Sequence, residues 1–267
     1  MNGHLLVRRP SPALAEGELT HIERAPVDPD LALRQWQGYV DAFAARGWTV
    51  HQIEPADSHP DGVFVEDTVV VFDDLAVLTS PGAASRRGEV RTTEAAVRAL
   101  PAGLGLQIAA ITEPGHLDGG DVLKIGRTVY VGLTGRTDAE GIAQLAALLE
   151  PRGWRVVAVP VTKVLHLKSG VTALPDGTVV GYAPLVDDPQ TYPEFLAVPE
   201  EHGTAVVDLG PSPDGRRAIL MSADAPRTAE LYDKRGLDVV TVPITEFEKL
   251  EGCVTCLSVR VRRTSAD

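Results

Sequence analysis

Five chemically active residues punctuate the chain at a nearly even interval. Asp67, Asp118, His166, Asp208 and Cys256 stand 42 to 51 positions apart, and each is placed at the head of a predicted strand. Each belongs to a unit that reads strand, hairpin, helix, strand, although the units share almost no sequence. A layout repeated in this way favours an α/β propeller, five units set about a pseudo-fivefold axis with their strand heads converging on one central site. A helix in every unit separates this expectation from an all-β propeller. A doubly wound parallel sheet is the competing architecture. No Gly-x-Gly-x-x-Gly follows the first strand, so a dinucleotide-binding fold has no support. The whole span, 1–267, is expected to form a single domain.

Periodicity places the elements. Residues 4–8 read as an opening strand and 48–53 as the next. Between them, 30–46 is an amphipathic helix through Leu33, Trp36, Tyr39, Val40 and Phe43, with Gly47 as its C-terminal cap. The stretch 10–29 is loop-like, and its Leu14 and Leu19 are suited to closing over something. The apolar half of 61–72 is a strand, on which Glu66 and Asp67 would face opposite ways. Further strands are expected at 75–79, 106–111, 122–125, 128–132 and 154–159, with helices at 86–100 and 137–149. A hairpin turns at Pro175-Asp176-Gly177. Strands at 205–209 and 217–220, a helix at 226–234, and strands at 237–242 and 257–261 complete the chain.

The formal net charge of −12 argues against a nucleic-acid partner or an anionic membrane surface, and fits a small cationic ligand. The apolar run at the start is too short for a signal peptide, and nowhere do eighteen apolar residues run together. Two cysteines three positions apart make no disulfide framework; a reducing, cytoplasmic location fits best.

Five groups of residues carry chemistry. Asp61, Glu66 and Asp67 crowd a loop-to-strand junction beside Val63, Phe64 and Val65. They suit either a solvated, capped loop end or a carboxylate cluster for a guanidinium or ammonium group. In Leu117-Asp118-Gly119-Gly120-Asp121-Val122 the two glycines permit close backbone approach, and one of the aspartates could orient a histidine. His166, flanked by Leu165 and Leu167, is either a satisfied boundary residue or a general acid and base. Arg86 and Arg136, near helix starts, are solvated or hold a carboxylate. Cys253-x-x-Cys256 lacks the following helix of a redox motif and a second pair of zinc ligands. It remains core filler, or else a nucleophile that needs His166 and an acid beside it.

Taken in order, Phe64-Val65-Glu66-Asp67, Pro81-Gly82-Ala83-Ala84-Ser85-Arg86-Arg87, Leu117-Asp118-Gly119-Gly120-Asp121-Val122, Val131-Gly132-Leu133-Thr134-Gly135-Arg136-Thr137, His166-Leu167-Lys168-Ser169 and Thr255-Cys256 resemble the dimethylarginine dimethylaminohydrolase (dimethylargininase) family. That family lies within the guanidino-modifying pentein superfamily, and the likeness runs from about Gln35 to Val261. The resemblance implies a five-unit α/β propeller, an enzyme needing no metal or organic cofactor, and a small cationic amino acid as substrate; it leaves room for a homodimer. By it Cys256 is the nucleophile, His166 the general acid and base, and Asp118 the partner that orients His166. Asp61, Glu66 and Asp67 would line the guanidinium and amino-acid end. Arg86 and Arg136 would hold the α-carboxylate, and Leu19 and the Leu250 carbonyl would meet the α-amino group. The implied reaction turns methylated arginines into citrulline and an alkylamine through a thiouronium on Cys256. Arginine deiminase or amidinotransferase activity is the nearest rival, and a non-catalytic propeller that binds a macromolecule is the rival of another class. Cys253 is expected to be wall.

Overall fold

Each apolar run pairs with a close neighbour in sequence, and the result is five separate three-stranded sheets. The doubly wound alternative is thereby excluded. The computed structural model describes residues 3–262, so residues 1–2 and 263–267 of the expected domain lie outside the described residues. Every sheet follows one plan, a hairpin whose second strand is joined in parallel by a third. Val69–Phe72 runs antiparallel to Leu75–Leu78, which runs parallel to Gln107–Ala110. Val122–Ile125, Thr128–Leu133 and Arg155–Pro160 repeat the arrangement. So do Val171–Ala173, Val179–Gly181 and Phe195–Ala197, and then Val206–Pro211, Arg217–Ser222 and Asp238–Val242.

The remaining sheet is assembled from both ends of the chain. Val259–Val261 runs antiparallel to Gly3–Val7, which runs parallel to Trp48–Gln52, with Leu5 opposite Arg260. The unit headed by Cys256 is therefore completed by the N-terminal strand, a closure that a linear reading of the repeat does not contain.

Helices cross from the second to the third strand in four of the sheets, at Pro29–Ala44, Glu89–Arg98, Ala139–Leu149 and Pro226–Lys234. The sheet of Val171–Ala173 has none, and the expectation of a helix in every unit is corrected. Two 3-10 turns, Ala183–Leu185 and Pro189–Thr191, take its place. Pro184, Pro189 and Pro193 remove backbone donors throughout that crossover, so no regular helix can propagate there. The helix expected at 86–100 also begins later, at Glu89, after a 3-10 turn at Ala84–Arg86. Asp208 is not at a strand head. It lies inside Val206–Pro211, where its carboxylate meets Arg217 and, at 2.7 Å, Arg262.

The first helix shows how the fold aims at the site. Asp28 caps it by accepting from the N–H groups of Asp30 and Leu31 at 3.0 Å, and Pro29 occupies the first position, where no donor is needed. Trp36, Tyr39, Val40 and Phe43 are buried against the core, each stabilising the fold by about 1.5–3 kcal/mol. Tyr39 carries its hydroxyl through that core to donate to the Val254 carbonyl at 2.9 Å and accept from Ser258 at 2.6 Å. The helix thus pins the segment that bears Cys256.

Candidate active site

The turns that lead into the strands bring the chemistry together. Glu66 and Asp67 lie on a 3-10 turn, Val65–Thr68, ahead of the strand rather than on it. Asp118 caps a second such turn, Gly119–Asp121, and His166 caps the short helix Leu167–Gly170. All four side chains are buried.

The two glycines of Leu117-Asp118-Gly119-Gly120-Asp121 are required by proximity. A Cβ on Gly119 would sit 2.0 Å from the Glu66 carbonyl; one on Gly120 would sit 2.7 Å from both Asp67 Oδ1 and His166 Nδ1. The Gly120 N–H donates to Asp67 Oδ1 at 2.8 Å. Gly120→Ala is expected to displace His166 and cut kcat by about 10²-fold or more, with the fold retained by circular dichroism. Wild-type kinetics in that variant would refute the packing argument.

His166 Nε2 lies 3.0 Å from Asp118 Oδ2, while Asp118 Oδ1 accepts from the Gly82 N–H at 2.9 Å. On its other side, His166 Nδ1 is 3.9 Å from Asp67. Burial alone would lower the imidazole's proton affinity, but Asp67, Asp121 and Asp118 outweigh it and push His166 up to about 9. Asp67 in turn overcomes its burial through His166 and Arg86 and is held down to about 2. The histidine therefore rests as a cation between two carboxylates. Asp67, Asp118 and His166 also present ligating atoms within 4.8 Å of one another. Asp67 is bonded to Arg86 and Gly120, and Asp118 to Gly82 and His166.

Asp121 had no assigned role. It is buried, and burial raises its carboxyl to about 6. It accepts from the Leu167 N–H at 2.8 Å, Thr134 at 2.8 Å and Thr137 at 2.6 Å; Thr137 accepts from the Asp118 N–H at 3.0 Å. One carboxylate thereby ties the turn of His166 to that of Asp118.

Cys256 is buried and shares a wall with Asp61, Phe64, Asp67, Arg86, Arg136, Leu165, His166 and Leu250 around a cavity of about 20 Å³. Cys253 Sγ is 3.4 Å from Cys256 Sγ and opens onto a separate cavity of about 140 Å³. The hydrogen bond from Cys256 draws the Cys253 thiol down to about 7. That same contact, then burial and the negative charge of Glu66 and Asp67, pushes Cys256 up. The proposed nucleophile rests as a thiol.

Not every expected residue is where the resemblance put it. Glu66 faces away from this cavity, toward a larger one of about 440 Å³. There it meets Lys168 at 2.6 Å, Thr255 at 2.8 Å and Arg260 at 3.1 Å. That larger cavity contains neither His166 nor Cys256, so its size does not mark the chemistry. Arg86, expected to hold a carboxylate from outside, lines the cavity and bonds Asp67 at 2.5 Å, both oxygens of Glu89, and the carbonyls of Asp61 and Phe64. Arg136 does face the cavity, and its partner at 3.0 Å is Glu18. Leu19 packs on the core cluster that includes Phe64, Leu250 and Cys256, while its neighbour Glu18 lines the cavity. Asp61 and Leu250 stand in the cavity wall as expected.

The loop bearing Glu18 is strapped down by buried acids. Glu251 accepts from the N–H groups of Thr20 at 2.6 Å and His21 at 2.9 Å, and Glu246 accepts from that of Asp28 at 2.8 Å. Glu251 adopts a left-handed φ of 58° to aim its carboxylate there, a conformation that costs a non-glycine residue about 1–2 kcal/mol.

Five α/β sheet units and a buried Cys–His–Asp arrangement define a thiol enzyme of the arginine deiminase type, and that family matches residues 51–204. A dimethylarginine dimethylaminohydrolase from Streptomyces coelicolor is 60% identical over 257 residues, covering 96% of each chain. The chain belongs to the dimethylarginine dimethylaminohydrolase family and is a hydrolase. The enzyme of that name from Pseudomonas aeruginosa, solved as a cysteine-to-serine mutant with citrulline, superposes with a TM-score of 0.87 at 32% identity, covering 97% of this chain and 99% of that one. A structure of a dimethylarginine dimethylaminohydrolase as an adduct with S-methyl-L-thiocitrulline gives the same TM-score, 0.87, at 32% identity. Among the described residues, no helix is long and apolar enough to cross a membrane.

Proposed function

We propose that this protein hydrolyses Nω-methylated arginines, asymmetric dimethylarginine and monomethylarginine, to citrulline and the corresponding methylamine. It acts as a single propeller domain, its five sheets set about a pseudo-fivefold axis. The observation that carries the reading is that His166, bonded to Asp118, lines the cavity that also holds Cys256. A guanidinium carbon is a weak electrophile because its charge is delocalised. Asp61 and Asp67 would fix the cation, whose charge favours the Cys256 thiolate over the thiol.

As the cation docks, the Cys256 thiol yields its proton to solvent, and the resulting thiolate forms a C–S bond to the guanidinium carbon. As the tetrahedral adduct collapses, the C–N bond to the methylated nitrogen breaks and His166 donates its proton to the departing amine. The neutral imidazole next takes a proton from water. A C–O bond forms; as the C–S bond breaks, the proton of the adduct's hydroxyl passes to the departing Cys256 sulfur, and citrulline leaves with Cys256 again a thiol and His166 again protonated. Asp118 holds the ring throughout. Both cysteines are free thiols, in keeping with a cytoplasmic setting.

Incubation with asymmetric dimethylarginine, monomethylarginine, arginine and agmatine, reading ureido product and released amine, tests the proposal. The methylated arginines are expected to give the highest kcat/KM. Arginine as the best substrate would point to a deiminase, and no turnover of any guanidine would refute the hydrolase reading.

A further inference from the structure

Glu18 is a charged side chain in the wall of the substrate cavity, one residue away from the leucine the resemblance pointed to. Its backbone is fixed: its N–H donates to Asp61 Oδ2 at 3.2 Å, and Arg24 holds the preceding Gly17 carbonyl at 2.6 Å. Its carboxylate accepts from Ser85 and pairs with Arg136 at 3.0 Å. Arg136 is mostly buried, lines the cavity and lies 3.9 Å from Asp118. Arg86 also lines the cavity, with its guanidinium already bonded to Asp67, Glu89 and two carbonyls.

A substrate α-carboxylate that reaches Arg136 must therefore compete with Glu18. An ordinary carboxylate would leave two anions beside one guanidinium. An α-amino acid brings its own remedy, since the α-ammonium sits on the carbon that bears the carboxylate. We propose, on the basis of the hydrolase reading above, that Glu18 exchanges Arg136 for the α-ammonium of the substrate and thereby selects free α-amino acids over guanidines that lack the amine. Attraction to the ammonium and repulsion of an unaccompanied carboxylate act in the same direction, which is how charge confers specificity. Both pairings are exchanged in one step, and each of the four charges keeps a partner.

The test compares wild type with Glu18→Gln. Two substrates are used, asymmetric dimethylarginine and its des-amino analogue, 5-(N,N-dimethylguanidino)pentanoate. For wild type the des-amino compound is expected to have the much higher KM. In the variant, KM for dimethylarginine rises about tenfold at unchanged kcat, while KM for the des-amino compound stays level or falls. Calorimetric binding of citrulline and 5-ureidopentanoate to the same two proteins gives a readout that needs no turnover. Loss of the preference for citrulline in the variant supports the inference even if the activity reading fails. Equal changes for the two ligands would mean that Glu18 only latches the loop, and an unchanged preference would mean that it does not recognise the amine; either result overturns the proposal.

Discussion

Replacing Cys256 by serine is expected to abolish turnover, lowering kcat by about 10⁴-fold or more, while Cys253→Ser retains activity to within about fivefold. The two residues are three positions apart, their sulfurs are 3.4 Å apart, and the ionisation of the resting pair favours Cys253. Acidity alone would thus nominate the wrong cysteine. Geometry decides otherwise: Cys256 lines the cavity of His166, whereas Cys253 opens on the neighbouring one. Arrival of a cationic substrate beside Cys256 is what reverses the order, by stabilising charge on the sulfur it touches. Steady-state assays on both variants, with intact-mass detection of a covalent adduct, check the assignment. An adduct that forms on Cys253, or a dead Cys253→Ser enzyme, would overturn it.

Much of the fold was legible because each unit folds locally. Apolar alternation bounded by Gly, Pro and Asp placed most strands to within about two residues, as hairpins of neighbouring runs allow, but Phe195–Ala197 was not read as a strand. The closure of the fifth sheet was hidden, since its first and second strands lie at opposite ends of the chain and nothing in the pattern links Val259–Val261 to Gly3–Val7. The missing helix after Val179–Gly181 was in principle visible in three closely spaced prolines. Site residues on regular turns before strands, Asp67, Asp118 and His166, came together as the spacing of the repeat suggested. Residues on the irregular loop could not be fixed the same way: no periodicity sets its register, and nothing in the pattern pointed to Glu18 in the cavity wall. Arg86 illustrates a different limit. Glu89, three residues on, was a readable partner, but its bonds to Asp67 and two distant carbonyls depend on tertiary structure. Glu66 and Asp67 do separate to opposite sides, though a 3-10 turn rather than a pleat divides them.

Removing the His166 imidazole, as in His166→Ala, should lower kcat by about 10²–10⁴-fold, the range for a positioned acid and base. The more discriminating result concerns pH. His166 must be protonated to expel the amine, so kcat of the wild type is expected to fall as pH rises through about 9. In Asp118→Asn the Gly82 N–H still needs an acceptor, and the side-chain carbonyl will stay with it. The amide NH₂ then faces His166 Nε2 and can only donate to it, which favours the neutral ring. The alkaline limb should move to lower pH, with kcat reduced even at its optimum. Stability carries the same signature. A histidine whose folded pKa lies above its unfolded value of 6.5 contributes stability that is fully present below about pH 6.5 and is lost as pH rises through about 9. Denaturant midpoints across that window should therefore decline more steeply for wild type than for His166→Ala. Equal slopes, or an alkaline limb unmoved by Asp118→Asn, would show that the imidazolium is not held by the carboxylates around it.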